Sequence, residues 1–78
     1  MDRQYVLIKY TYVYEDHDNS SYGIAAVEKY DDTEIVVEAY PDLTRDMESV
    51  KKLVHDCNQL KLDLIHLKDV VEDFVATL

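Results

Sequence analysis

All seven tyrosines precede the single proline, Pro41, and none follows it. A chain divided in this way is not one kind of structure throughout. Aromatic and β-branched side chains suit a pleated surface, whereas unbranched ones lose less freedom in a helix. The segment before Pro41 is therefore expected to be sheet and the segment after it helix. With 78 residues there is room for one small domain, expected to span 1–78 and to bury about 60% of its unfolded surface. A second domain, a large catalytic scaffold or a deep cofactor cleft does not suit that length.

Residues Gln4 to Tyr14 predict a long strand, because YVLIKYTYVY is nearly all β-branched or aromatic and lacks Gly and Pro. Glu15 to Ser20 predicts a polar loop, Tyr22 to Lys29 a second strand, Asp31-Asp32 a turn, and Glu34 to Tyr40 a third strand. Connections this short imply antiparallel hairpins. Alternation assigns Val6, Ile8, Tyr10 and Tyr12 to the face that meets the helices, with Ile24, Ala26, Ile35, Val37 and Ala39. Gly23, inside a strand, marks a bulge or a close backbone approach.

Between Thr44 and about Asn58 the apolar residues Met47, Val50, Leu53, Val54 and Cys57 recur at three- and four-residue steps, which makes a helical stripe. Thr44 or Asp42 is expected to cap its start. After the connection QLKLD, Asp63 is expected to cap a second helix whose stripe is Leu64, Leu67, Val70, Val71, Phe74 and Leu78. The expected fold is α+β: a three-stranded antiparallel sheet followed by two helices packed on one face, in the order β-β-β-α-α. Such a sheet needs the helices, since an uncovered sheet leaves its apolar face in water.

The net charge is −9, and it is spread, with −6 before Pro41 (three basic, nine acidic) and −3 from Pro41 onward (five basic, eight acidic). That balance disfavours nucleic acid and anionic membrane as partners. No apolar run approaches the roughly 18 residues that would span a bilayer. One cysteine, Cys57, cannot form an internal disulfide framework. The chain is expected to be a complete cytoplasmic polypeptide that starts at Met1 without a signal peptide.

The candidate chemical groups are few. His66, Asp69 and Asp73, with Glu72 close by, share one face of the second helix and are the best candidate for a divalent metal, yet they equally fit a solvated face. His55, Asp56 and Cys57 are adjacent, but helical neighbours point about 100° apart, and Cys57 belongs to the apolar stripe, where a thiol is a small hydrophobe. His17 sits among Asp16 and Asp18 in the polar segment and is expected in solvent. Gly23 is the only glycine, so a phosphate-binding glycine loop is ruled out. No catalytic residue, metal ligand or cofactor is expected.

The other sheet face is expected to carry Tyr5, Leu7, Ala25, Val27, Val36 and Tyr40 beside Lys9, Thr11 and Glu38. A partly aromatic surface of this kind suits dimerisation or a protein partner.

Tyr22-Gly23-Ile24, the segment LVHDCN at Leu53 to Asn58 and the closing HLKDVVEDF at His66 to Phe74 together resemble an uncharacterised family of short bacterial proteins found mainly in Firmicutes. The usual Ser-Pro entry to the final helix is here Asp63-Leu64, which keeps a cap and loses the proline. The resemblance implies a cytosolic bacterial protein of unknown function and transfers no site. The expected function is a non-enzymatic protein-interaction or self-associating module. An acidic decoy of a nucleic-acid-binding protein is the first alternative, and a metal-binding protein or enzyme using the His66, Asp69 and Asp73 face is the second.

Overall fold

A computed structural model describes residues 2–78. Three antiparallel strands, β1 (Asp2–Tyr14), β2 (His17–Tyr30) and β3 (Thr33–Thr44), form a sheet in the order β1-β2-β3. Helix α1 (Met47–Gln59) follows, and a 3-10 turn (Leu64–His66) leads directly into helix α2 (Leu67–Ala76). This is the expected β-β-β-α-α order. Both helices pack on one face of the sheet, where Tyr5, Ile24 and Ala26 form a buried cluster with Leu53, Cys57, Leu67 and Val71. Tyr40, Leu43, Val54, Leu62, Leu64, Val70 and Phe74 close over it from its margins.

The strands are longer than their apolar patterning predicts. The expected loop at Glu15 to Ser20 contracts to the turn Glu15-Asp16, whose φ angles of 52° and 63° are both left-handed. That geometry matches the mirror-image hairpin turn whose twist suits the flanking strands. His17 to Ser20 therefore pair with β1. Beyond Ser21 β2 loses its other neighbour, because β3 ends at Thr44 opposite Tyr22. The tip is consequently a two-stranded arm with no face to bury, and its sequence needs no apolar alternation.

The expected face assignment of β1 is inverted. Tyr5 pairs with Ala26 and Leu7 with Ile24, and directly opposed residues share a face, so these lie on the helix side. Val6, Ile8, Tyr10 and Tyr12 lie on the open side. Lys9 shares the parity of Tyr5 and Leu7 without being buried. The reason is length: the 13 residues of β1 reach about 43 Å at roughly 3.3 Å each, whereas the 13 residues of α1 reach about 20 Å. In β3 a register irregularity after Ala26 leaves Val37 without a partner, so Ile35 falls on the helix side and Ala39 on the open side.

Gly23 lies at a second irregularity, where β3 carries Pro41, Asp42 and Leu43 against one residue of β2. A Cβ there would stand 2.0 Å from the Tyr40 carbonyl oxygen and 2.7 Å from the Pro41 Cα. Pro41 is tolerated because β3 is an edge strand. Asp42 takes a left-handed φ of 58° and accepts a hydrogen bond from the Ser21 hydroxyl. It does not cap α1. Asp46 does, accepting from the Ser49 amide at 3.4 Å and the Ser49 hydroxyl at 2.6 Å. Asp63 makes no side-chain cap bond.

Helix α1 ends in a two-bond reversal, with the Leu62 amide donating to the Cys57 carbonyl at 3.0 Å and the Lys61 amide to that of Asn58 at 3.2 Å. Lys61 adopts the left-handed φ of 50° that this reversal requires and that glycine usually supplies. The turn delivers Leu62 to the core and starts the chain back toward α2.

Of the stripe on α2, Leu67 and Val71 are buried and Phe74 is half-buried, whereas Leu78 is exposed. Leu67→Ala should cost about 2 to 5 kcal/mol and Phe74→Ala less than that, because burial governs the loss; thermal melts that reverse this ranking would contradict the packing. Gly23→Ala should cost about 3 kcal/mol or more, since backbone must move to admit the methyl group; a melting temperature equal to the parent's would show that β3 does not approach Gly23.

Candidate functional site

The junction between the start of β1 and the end of α1 brings polar groups against the core. The Tyr5 amide donates to Asn58 Oδ1 at 2.8 Å, and Asn58 Nδ2 donates to the Tyr5 carbonyl at 2.9 Å. The Tyr5 hydroxyl donates to the Leu62 carbonyl at 2.5 Å. Burial pushes the Tyr5 phenol above its ordinary pKa. Two residues back along β1, Arg3 donates twice to Glu28, Nη2 at 2.7 Å and Nε at 3.1 Å, while the Tyr30 hydroxyl donates to the other carboxylate oxygen at 2.7 Å. These bonds, Tyr30's first and Arg3's second, hold the Glu28 carboxyl below its usual range.

Around the junction lies an open cavity of about 620 Å³ lined in part by Arg3, Tyr5, Cys57, Asn58, Lys61 and Leu62. Of its lining groups Tyr5, Asn58 and Leu62 bond to one another, and Arg3 is engaged by Glu28. The Cys57 thiol is pushed up by burial and then by the Asp56 charge, which works against the thiolate that nucleophilic chemistry requires. His55 is exposed while Cys57 is buried. On β3 the Tyr40 hydroxyl donates to Glu38 at 2.9 Å, and the second Glu38 oxygen is buried with no hydrogen-bond partner among the described residues. His66, Asp69 and Asp73 are all exposed. Among the described residues no three His, Cys, Asp or Glu side chains gather as a metal-holding group.

The bond pair at Tyr5 also orients the rest of β1. Both backbone groups of Tyr5 point away from β2, and by the alternation of an antiparallel ladder so do those of Leu7, Lys9, Thr11 and Val13. Asn58 occupies this free edge at Tyr5 only. From Leu7 to Val13 the edge takes no hydrogen bond from another element among the described residues.

The six residues expected on one outer face are divided between the two. Tyr5, Leu7 and Tyr40 lie on the helix side, with Tyr5 at 2% exposure; Ala25, Val27 and Val36 lie on the open side. Ala25 is itself buried, a short side chain flanked by Val6 and Ala39 on the neighbouring strands. The open face consists of Val6, Ile8, Tyr10 and Tyr12 on β1, Ala25 and Val27 on β2, and Val36 and Ala39 on β3. Tyr10 and Tyr12 hold their ring centroids 5.8 Å apart. No local signal in the sequence marks Asn58 as the residue that decides which face of β1 turns inward, because its partner is 53 positions away.

Residues 1–77 match the model of a family of unknown function, DUF6514. The chain belongs to this family. No curated protein and no solved structure matches it. Among the described residues no helix is long and apolar enough to cross a membrane.

The depressed Glu28 carboxyl sets a pH dependence. In the folded state it stays ionised below its ordinary value of 4.5, so it adds stability above that value and loses the contribution as pH falls through the lowered one. Melting temperatures of the parent should therefore fall more steeply between about pH 5 and pH 3 than those of Glu28→Gln. Parallel curves for the two proteins would show that the Arg3–Glu28–Tyr30 cluster does not contribute.

Proposed function

We propose that this chain is a non-enzymatic protein-interaction module, working in the cytoplasm, whose contact surface is the open sheet face together with the free edge of β1. One observation carries the reading: the apolar face that no helix covers runs, through Val6, Ile8, Tyr10 and Tyr12, into a strand edge whose backbone groups are unpaired from Leu7 to Val13. Tyrosine offers such a contact an apolar ring and a polar tip, and a free edge offers main-chain hydrogen bonds. The buried Cys57 and the engaged polar groups of the Tyr5–Asn58 junction support a role without catalysis. The charge of −9 supports a protein partner over nucleic acid or a membrane. The single thiol agrees with a reducing compartment.

Tyr10, 46% exposed, tests the reading without disturbing the core. Sedimentation across a range of concentrations, with capture of bound protein from a bacterial lysate, should find the parent associated with itself or with a partner, and Tyr10→Glu should lose that association. A parent that stays monomeric at every concentration and retains no protein would overturn the proposal.

A further inference from the structure

We infer that the occupant of the β1 edge is a second copy of this chain, its own β1 running antiparallel across a two-fold axis at Tyr10, so that two three-stranded sheets become one of six. This rests on the interaction-module reading and names its partner.

A two-fold contact needs a surface complementary to itself, and the free stretch of β1 has that property. Read outward from Tyr10, Lys9 is matched by Thr11, Ile8 by Tyr12, Leu7 by Val13 and Val6 by Tyr14: polar against polar next to the axis, apolar against apolar beyond it. In this register Lys9 and Thr11, and Leu7 and Val13, exchange ladder bonds through the groups that point away from β2. Ile8, Tyr10 and Tyr12 meet their counterparts on the open face and extend the Tyr10–Tyr12 ring contact. Aromatic and β-branched pairs of this kind stabilise a sheet. Sliding the pair back by one ladder step sets Lys9 against Lys9, like charges directly opposed, and presses on Tyr5, whose edge Asn58 already fills. Sliding it forward sets Leu7 against Glu15, which is in the turn.

The arm also needs a neighbour. From Tyr10 to the turn it is only two strands wide, and a two-stranded ribbon alone is marginal in water. The second copy makes it four-stranded. The competing edges are blunted: that of β2 in the arm carries His17 and Asp18, with Asn19 held by Arg45 and Ser21 by Asp42, and β3 contains Pro41 and several carboxylates. Between Gln4 and Tyr14 the only charge is Lys9, so the acidic remainder of each copy stays off the seam. The repulsion between two chains of −9 that persists is screened by salt.

Sedimentation equilibrium of the full chain, at micromolar and near-millimolar concentration and at low and high salt, is the test. The parent should dimerise, more tightly at high salt. Thr11→Pro deletes one ladder donor per copy at an edge position that tolerates proline and should weaken the dimer at least about thirtyfold, while Lys68→Gln, exposed on α2, should leave it unchanged. Tyr10→Cys should cross-link to itself on mild oxidation, because unbonded opposed pairs lie within disulfide reach, and Tyr14→Cys should not. Circular dichroism of each variant confirms that it is folded, and the cross-link reports the register even where Thr11→Pro fails to fold. A monomeric parent with no Tyr10→Cys cross-link overturns the pairing. A parent that associates equally with Thr11→Pro in place also overturns it, while leaving the wider interaction reading intact.

Discussion

The amide of Asn58 does what a neighbouring strand would otherwise do. Its oxygen and nitrogen bond the two backbone groups of Tyr5, and this one side chain joins the end of α1 to the edge of the sheet. Its consequences spread along both elements. With Tyr5 turned toward the helices, the pleat of β1 is fixed along its length, because a shift of one residue would exchange its two apolar faces. The left-handed reversal at Lys61 then brings the Leu62 carbonyl to the Tyr5 hydroxyl and returns the chain toward α2. Sheet and helices thus share one junction.

That junction sits at one end of a long sheet, and the rest of the architecture follows from the mismatch in length. The helices cover the part of the sheet around Tyr5, Ile24 and Ala26. They do not reach the hairpin tip, where Val13 and Tyr14 are exposed, and they leave the opposite face bare throughout. Apolar residues therefore serve two ends in one strand. Tyr5 fills the core; Tyr10, exposed, and Tyr12, half-buried, lie seven positions or fewer away on the open face. The same alternation that buries the first turns the others outward.

Much of this fold was legible from sequence. The break at Pro41 separates sheet from helix, and the three- and four-residue spacing through Leu53, Cys57, Leu67 and Val71 identifies residues that are buried. The faces of β1 were not legible, because both are apolar and the only polar markers, Lys9 and Thr11, lie where the strand has outrun the helices. Those two residues argue for the wrong face: they report solvent at the arm, not orientation at the core. The bulge that leaves Val37 unpartnered likewise reverses parity within β3, so Ile35 and Ala39 do not share a face. Gly23 was the informative exception, since a lone glycine within a strand announces the close approach of another backbone. The candidate surface was therefore half legible: Ala25, Val27 and Val36 do lie on the open face, whereas Tyr5 and Leu7 of β1 were exchanged for their neighbours and Tyr40 of β3 was exchanged for Ala39.

The Glu15-Asp16 turn closes the arm by local backbone geometry alone, without borrowing contacts from the helices. Residues near it can accordingly open and reclose with little effect on the cluster around Ile24. Substitutions there and in the core, far apart and sharing no neighbours, should act independently of one another. The molecule thus keeps an outer segment on which selection can act freely, attached to an inner one whose residues are held to a narrow choice. Sequence changes in the arm therefore leave the junction at Asn58 untouched.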